Sequence, residues 1–305
     1  MKKYSAKKCL ALCAALALGV TLTGCAPSAV IKGNYRTPTE EELTAALNAV
    51  DPEQLFAEDP TLSLRQEFSV DMSAPDGTFF FESKGTYDIQ MQGETSIGAG
   101  DLELRASSTG EEIAVGALTG DFYHDGDCLY MDVLDGNESY RGKIPLTELS
   151  ALLEEYLEYL QTGTAVPLIA GSGHGGSEIS PDLQTMFSVG LDDGDGIKLK
   201  LAANDNFFTT IEESVTGGSD AIEFSFRSKI LELYLSIDGD GRFEQLSARI
   251  DLAYEASYEG QSLEMRAKGE FILRTGNAAV RLPDELSDEE EYPFFTDNGF
   301  LPSPM

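Results

Sequence analysis

The 305-residue chain has no tryptophan, two histidines and four cysteines. Basic residues are also scarce, with 21 Lys and Arg against 53 Asp and Glu and a formal net charge of -32. Each shortage closes a class of function. So acidic a surface repels phosphate backbones and anionic lipid headgroups, which excludes nucleic acid and a basic membrane-docking patch. His124 and His174 stand far apart in sequence, with no G-x-S-x-G elbow, no phosphate-cradling loop and no second metal-ligand cluster nearby. No enzyme and no cofactor is expected. Cys9, Cys13 and Cys25 all lie near the N-terminus, so Cys128 is alone in the body and an internal disulfide requires a free Cys25.

Long apolar runs are lacking too, except over residues 9–21, which follow Lys2, Lys3, Lys7 and Lys8. That run is too short for a stop-transfer helix and reads as an export signal. It leads to Leu22, Thr23, Gly24 and Cys25, a tetrad that resembles the lipobox of bacterial lipoproteins. The resemblance implies acylation of Cys25 and anchorage by a pair of acyl chains at the outer face of the bacterial cell membrane. The expected organisation is a signal peptide (1–24), a lipid-anchored tether (25–36), a single domain (37–286) and an acidic flexible tail (287–305).

What is abundant is alternation. Leu62, Leu64, Phe68, Val70 and Met72 interleave with Ser63, Arg65, Glu67, Ser69 and Asp71, the pattern of a strand with one wet and one buried face. Phe79, Phe81, Tyr87, Ile89 and Met91 repeat it, and weaker strands are expected over 102–106 and 113–117. A hairpin over 120–133 should turn at Asp125-Gly126. After residue 190 the alternation resumes at 197–201, 222–226, 231–237, 246–254 and 263–273. Short connections make the sheet antiparallel.

Helical period is confined to a few stretches. Thr37, Pro38 and Glu40 fit a capping box that opens a helix through Val50. Over residues 145–161, Leu146, Leu149, Leu153, Tyr156, Leu157 and Leu160 line one face, with Thr147 as candidate N-cap. A weaker helix is expected over 181–189, and the stretch 207–215 fits neither pattern. The predicted fold is α+β: a large curved antiparallel sheet, a half-barrel, wrapping the central helix and one or two minor helices.

Several acidic or histidine-bearing spots invite a metal reading. His124 stands among Asp121, Asp125, Asp127 and Cys128, but those ligands alternate faces and Asp-Gly is itself a preferred turn. Asp192, Asp193 and Asp195, like Asp238 and Asp240, lie in glycine-rich turns that lack EF-hand spacing. Hairpin turns explain both, and no metal site is assigned.

The leader, the two meanders, the hairpin from Tyr123 to Met131, the Lys143-Ile144-Pro145-Leu146 approach to a helix and the closing Val280-Arg281-Leu282-Pro283 together resemble a group of uncharacterised Gram-positive lipoproteins. Their fold is similar to the lipoprotein carriers LolA and LppX, in which a curved sheet wraps helices and a hydrophobic cavity. The resemblance implies binding of a lipid, acyl chain or lipoprotein. The strands supply more apolar face than the visible helices cover, so the expected ligand face comprises Phe68, Phe79, Phe81, Leu149, Leu153, Tyr156, Leu157, Ile250, Leu252 and Met265. The alternative is a sensory or protein-interaction module whose concavity is filled by its own side chains.

Overall fold

The computed structural model describes residues 28–55, 61–75, 77–92, 95–109, 116–149, 185–216, 222–258, 261–276, 279–288 and 290–294. Eleven strands lie within them: β1 (Thr61–Ala74), β2 (Gly77–Gln92), β3 (Thr95–Thr109), β4 (Gly116–His124), β5 (Cys128–Asp135), β6 (Glu138–Pro145), β7 (Phe187–Asp192), β8 (Ile197–Ala203), β9 (Ile222–Ile237), β10 (Phe243–Tyr258) and β11 (Gln261–Gly276). They form one open, curved antiparallel sheet in the order β6-β5-β4-β3-β2-β1-β11-β10-β9-β8-β7. Two meanders are thus joined by β1 and β11, which pair from Thr61 opposite Gly276 to Ser73 opposite Glu264. Register shifts between β9 and β10, at Phe243/Gln245 and Ala253/Tyr254, are the kind of irregularity that adds twist to a wide sheet.

The α-helices bounded at both ends among the described residues are α1 (Glu40–Asn48), the single turn α2 (Pro52–Leu55) and α3 (Asp205–Thr216). The capping box of α1 sits two residues later than the sequence pattern suggests. Thr39, not Thr37, accepts the Glu42 amide, and the Glu42 carboxylate accepts the Thr39 amide at 2.8 Å. Thr-x-x-Glu occurs at both spacings from this threonine pair, but only Glu42 also meets Arg36, at 2.7 Å. The stretch that fits neither pattern, 207–215, is α3. Asn204 caps it by accepting the amides of Asn206 and Phe207, while Thr209, Thr210 and Ile211 are β-branched residues that blur its helical signature. Where a helix is expected over 181–189, the chain enters β7 at Phe187. There Phe187, Val189 and Leu191 face one way and pair with Ala203, Leu201 and Leu199.

β6 is unforeseen, because Gly142 interrupts its alternation between Tyr140 and Ile144. It ends at Pro145, and residues 146–149 are helical, which places Thr147 inside the helix and not at its cap. The rest of the expected central helix lies outside the described residues.

Both edges of the sheet are covered by segments expected to hang free. Residues 28–36 lie on the outer face of β7–β10. Ala29 there is fully buried, its carbonyl accepting the Ser247 hydroxyl at 2.7 Å, and Arg36 and Leu191 exchange two backbone hydrogen bonds along β7. Tyr35 tilts against Tyr234, and burial pushes its phenol up to about 12. At the other edge Lys143 donates its amide to Pro293, Tyr292 meets Tyr130 edge to face, and Leu286 is buried beside them. Open edges invite pairing with other chains, and Arg36 along β7 and Pro293 along β6 take up edge hydrogen bonds here.

Candidate ligand-binding face

The pairing register sorts side chains into faces without ambiguity, since residues directly opposite one another point the same way. Leu252, Ala267, Val70, Phe81 and Ala106 form one transverse row across β10, β11, β1, β2 and β3. Ile250, Gly269, Phe68, Ser83 and Leu104 form the next, and Tyr254, Met265, Met72, Phe79 and Ser108 a third. The six strand residues expected to touch a ligand, Phe68, Phe79, Phe81, Ile250, Leu252 and Met265, therefore share one side of the sheet. All six are only half-buried. Leu149 reaches this side further along, packing with Leu146 on buried Leu129 and Ile144. Leu153, Tyr156, Leu157 and the acylation candidate Cys25 lie outside the described residues.

The face is solid in one place and loose in another. Leu102, Leu104 and Phe122 make a buried cluster over β3 and β4, supported by Phe81, Tyr87 and Met131. Toward β9, Leu233 remains 43% exposed and, at the far end of β1, Met72 is 36% exposed. α3 closes the corner next to them with an aromatic stack: Phe208 meets Phe207 and Phe226 at 5.2 Å each, and Lys229 lies 5.5 Å over the Phe208 ring.

Among the described residues, two buried polar spots interrupt this apolar side, and alternation alone does not announce them. In the first, His124 stacks on Tyr87 with its Nδ1 2.6 Å from the Tyr87 hydroxyl and its Nε2 2.9 Å from Ser96 Oγ. Gly98 and Gly100 of β3 make the recess, because a Cβ at either would run into the Tyr87 ring. Burial pushes the His124 pKa down, against opposing effects from Asp125 and Ser96, so the ring is held neutral. Burial likewise pushes the Tyr87 phenol up. A neutral imidazole with both nitrogens hydrogen-bonded is a structural plug in the sheet. The second spot is Gln66, whose Nε2 donates to Ser83 Oγ at 3.1 Å.

The acidic turns are occupied by their own backbones. Asp125 Oδ1 accepts the amides of Asp127 and Cys128, and Tyr130 donates its hydroxyl to Asp125 Oδ2 at 2.6 Å. Burial pushes the Asp125 pKa up, but the hydrogen bonds from Tyr130, Cys128 and Asp127 outweigh it and hold the carboxyl below its usual range. Asp238 Oδ1 accepts from Asp240 and Arg242, and Asp192 from Asn34 and Gly194. Cys128 is half-buried beneath Tyr130, and burial pushes its thiol pKa up, away from reactivity. Among the described residues no three His, Cys, Asp or Glu side chains are placed to hold a metal ion.

A cleft of about 450 Å³ opens beside α1, with Arg36, Glu42 and Asp193 at its charged side and Ala46, Ala49, Val50, Ile197 and Ile237 lining the rest. A second groove, about 300 Å³, runs along Glu67, Glu82, Arg249, Asp251 and Lys268. Both carry charge, and their charges are engaged internally, as in Arg36 with Glu42 and Asp193. The second groove, charged along most of its length, does not suit an apolar guest.

No family model matches the chain, and no curated protein does so significantly. Similar solved structures include the YwiB protein of Bacillus subtilis, at 9% identity and a TM-score of 0.15, covering 76% of this chain and 98% of that one. A β-barrel-like DUF1849 protein from Brucella abortus gives 11% and 0.16, covering 72% and 98%. A DUF1329 family protein from Desulfovibrio piger gives 10% and 0.17, covering 77% and 92%. Scores this low establish no shared arrangement.

Proposed function

We propose that the protein is a lipid-anchored lipoprotein of the outer face of the bacterial cell membrane that binds a hydrophobic ligand, an acyl chain or lipid, against the apolar side of its sheet. It performs no chemistry of its own on that ligand. The observation that carries this reading is that Phe68, Phe79, Phe81, Ile250, Leu252 and Met265 share one side of the sheet and all stay only half-buried. Leu233 and Met72 on the same side are also exposed, at 43% and 36%. The LTGC tetrad at Cys25 supports the anchor, and the resemblance to carriers of the LolA and LppX type points to the same class of guest.

A second reading keeps one specific observation in its favour. The cluster of Leu102, Leu104 and Phe122 is fully packed, as expected of an interaction module that fills its own concavity. Binding of the neutral dye N-phenyl-1-naphthylamine to the full chain carrying Cys25→Ser separates the two. Leu252→Glu, opposite Lys229 in the pairing, is the control, with far-UV circular dichroism to verify that it stays folded. Saturable dye binding that Leu252→Glu abolishes supports a ligand face. No binding by the unsubstituted face supports the filled module.

A further inference from the structure

Among the described residues, the apolar side carries one buried polar side-chain atom without a hydrogen-bond partner. Gln66 is 4% exposed, its row partners are Gly85 and Phe271, and its neighbours along β1 are Leu64 and Phe68. The amide spends Nε2 on Ser83, which is 1% exposed, and leaves Oε1 without any hydrogen-bond partner. Native proteins rarely leave a buried amide oxygen unpaired, because its desolvation is not recovered elsewhere. A leucine would fill this position more stably. The residue therefore makes sense as an acceptor held ready for a donor that arrives from outside.

We infer that Gln66 and Ser83 form the polar subsite of the ligand face, and that the ligand is a neutral amphiphile presenting a hydroxyl or amide N–H, in the manner of an acylglycerol, beside its acyl chain. This rests on the hydrophobic-ligand reading above and adds what the guest must carry. Anionic lipids fit poorly. A carboxylate or phosphate would meet the lone pairs of Oε1, and none of the side chains flanking Gln66 on this face, Leu64, Phe68, Ser83, Tyr87, Phe271 or Leu273, is cationic. The net charge of -32 repels anions further. Phe68, Phe81, Ile250 and Leu252 in the adjoining rows then receive the chain.

The test displaces N-phenyl-1-naphthylamine from the full chain carrying Cys25→Ser, using 1-monoolein, which has hydroxyl donors, and methyl oleate, which has none. A hydrogen bond to a waiting acceptor gives monoolein an advantage of about 10-fold. Gln66→Met, close in length but unable to accept, should reduce the ratio to about one while Tm holds or rises; Gln66→Leu provides a second variant of the same kind. A ratio near one in the unsubstituted protein overturns the inference, as does a ratio that survives in Gln66→Met. A fall in Tm of several degrees in both variants also overturns it, since Gln66 would then be a structural tie. If neither lipid nor dye binds at all, the hydrophobic-ligand reading itself fails.

Discussion

Gly100→Ala is a single-methyl perturbation of the recess that seats Tyr87 and His124. Gly100 stands opposite Tyr87 on β2 and Phe122 on β4. A Cβ there would lie 2.5 Å from Tyr87 Cδ2 and 2.7 Å from Tyr87 Cα, and would overlap the Thr86 carbonyl oxygen. A side-chain carbon could swing away; the Cα and carbonyl belong to a paired strand and cannot. β2 and β3 must part locally, at an overpacking cost of roughly 1–3 kcal/mol. Displacing Tyr87 also weakens its bond to His124 Nδ1, worth about 1 kcal/mol. The stiffer unfolded chain returns about 0.5–1 kcal/mol, leaving a net loss of roughly 1–3.5 kcal/mol. Gly116→Ala is the matched control, because the nearest atom to its Cβ is Asp135 Oδ1 at 4.0 Å, and it should be neutral or slightly stabilising. Urea unfolding followed by far-UV circular dichroism measures both. If the two variants differ by less than about 0.5 kcal/mol, the close approach of β3 to Tyr87 is wrong.

Acid should find His124 first. Its pKa is held below the ordinary 6.5 by burial, so the unfolded state binds the proton more readily; the associated stability is complete above pH 6.5 and is lost as pH falls below it. His124→Gln should lose less Tm than the parent between pH 7.5 and pH 5.5, and an equal loss in both would remove His124 from the account. Mass spectrometry of the N-terminus of protein made in its bacterial host should show diacylglyceryl-modified Cys25, and an unmodified Cys25 or cleavage elsewhere would refute the lipobox reading.

How much was legible depended on how far each segment kept a period. β1, β2, β10 and β11 alternate almost without interruption, so their inward residues, Phe68, Phe81, Ile250 and Met265 among them, could be named from sequence and do share one side of the sheet. β6 and β7 could not be read so easily, since Gly142 and the short FSVGLD stretch leave too few alternating positions. The recess was invisible for a related reason. Ser96, Gly98 and Gly100 precede the weak strand expected over 102–106, and only the pairing of β2, β3 and β4 shows that they make room for Tyr87 and His124. Gln66 was hidden by its place in an apolar series, where a single glutamine reads as an error in the alternation and not as a site. The edge-covering segments at Ala29 and Tyr292 lack any local signal, because their anchors are single apolar residues whose partners lie far along the chain.

The central claim is that the apolar side of the sheet holds a lipid. Chloroform–methanol extraction of the full chain carrying Cys25→Ser, purified from bacterial cells without detergent, followed by lipid mass spectrometry, tests it most directly. The account predicts a neutral acyl lipid at near-stoichiometric yield, much reduced in Leu252→Glu. Extracts of the unsubstituted chain with no more lipid than the Leu252→Glu control would contradict it.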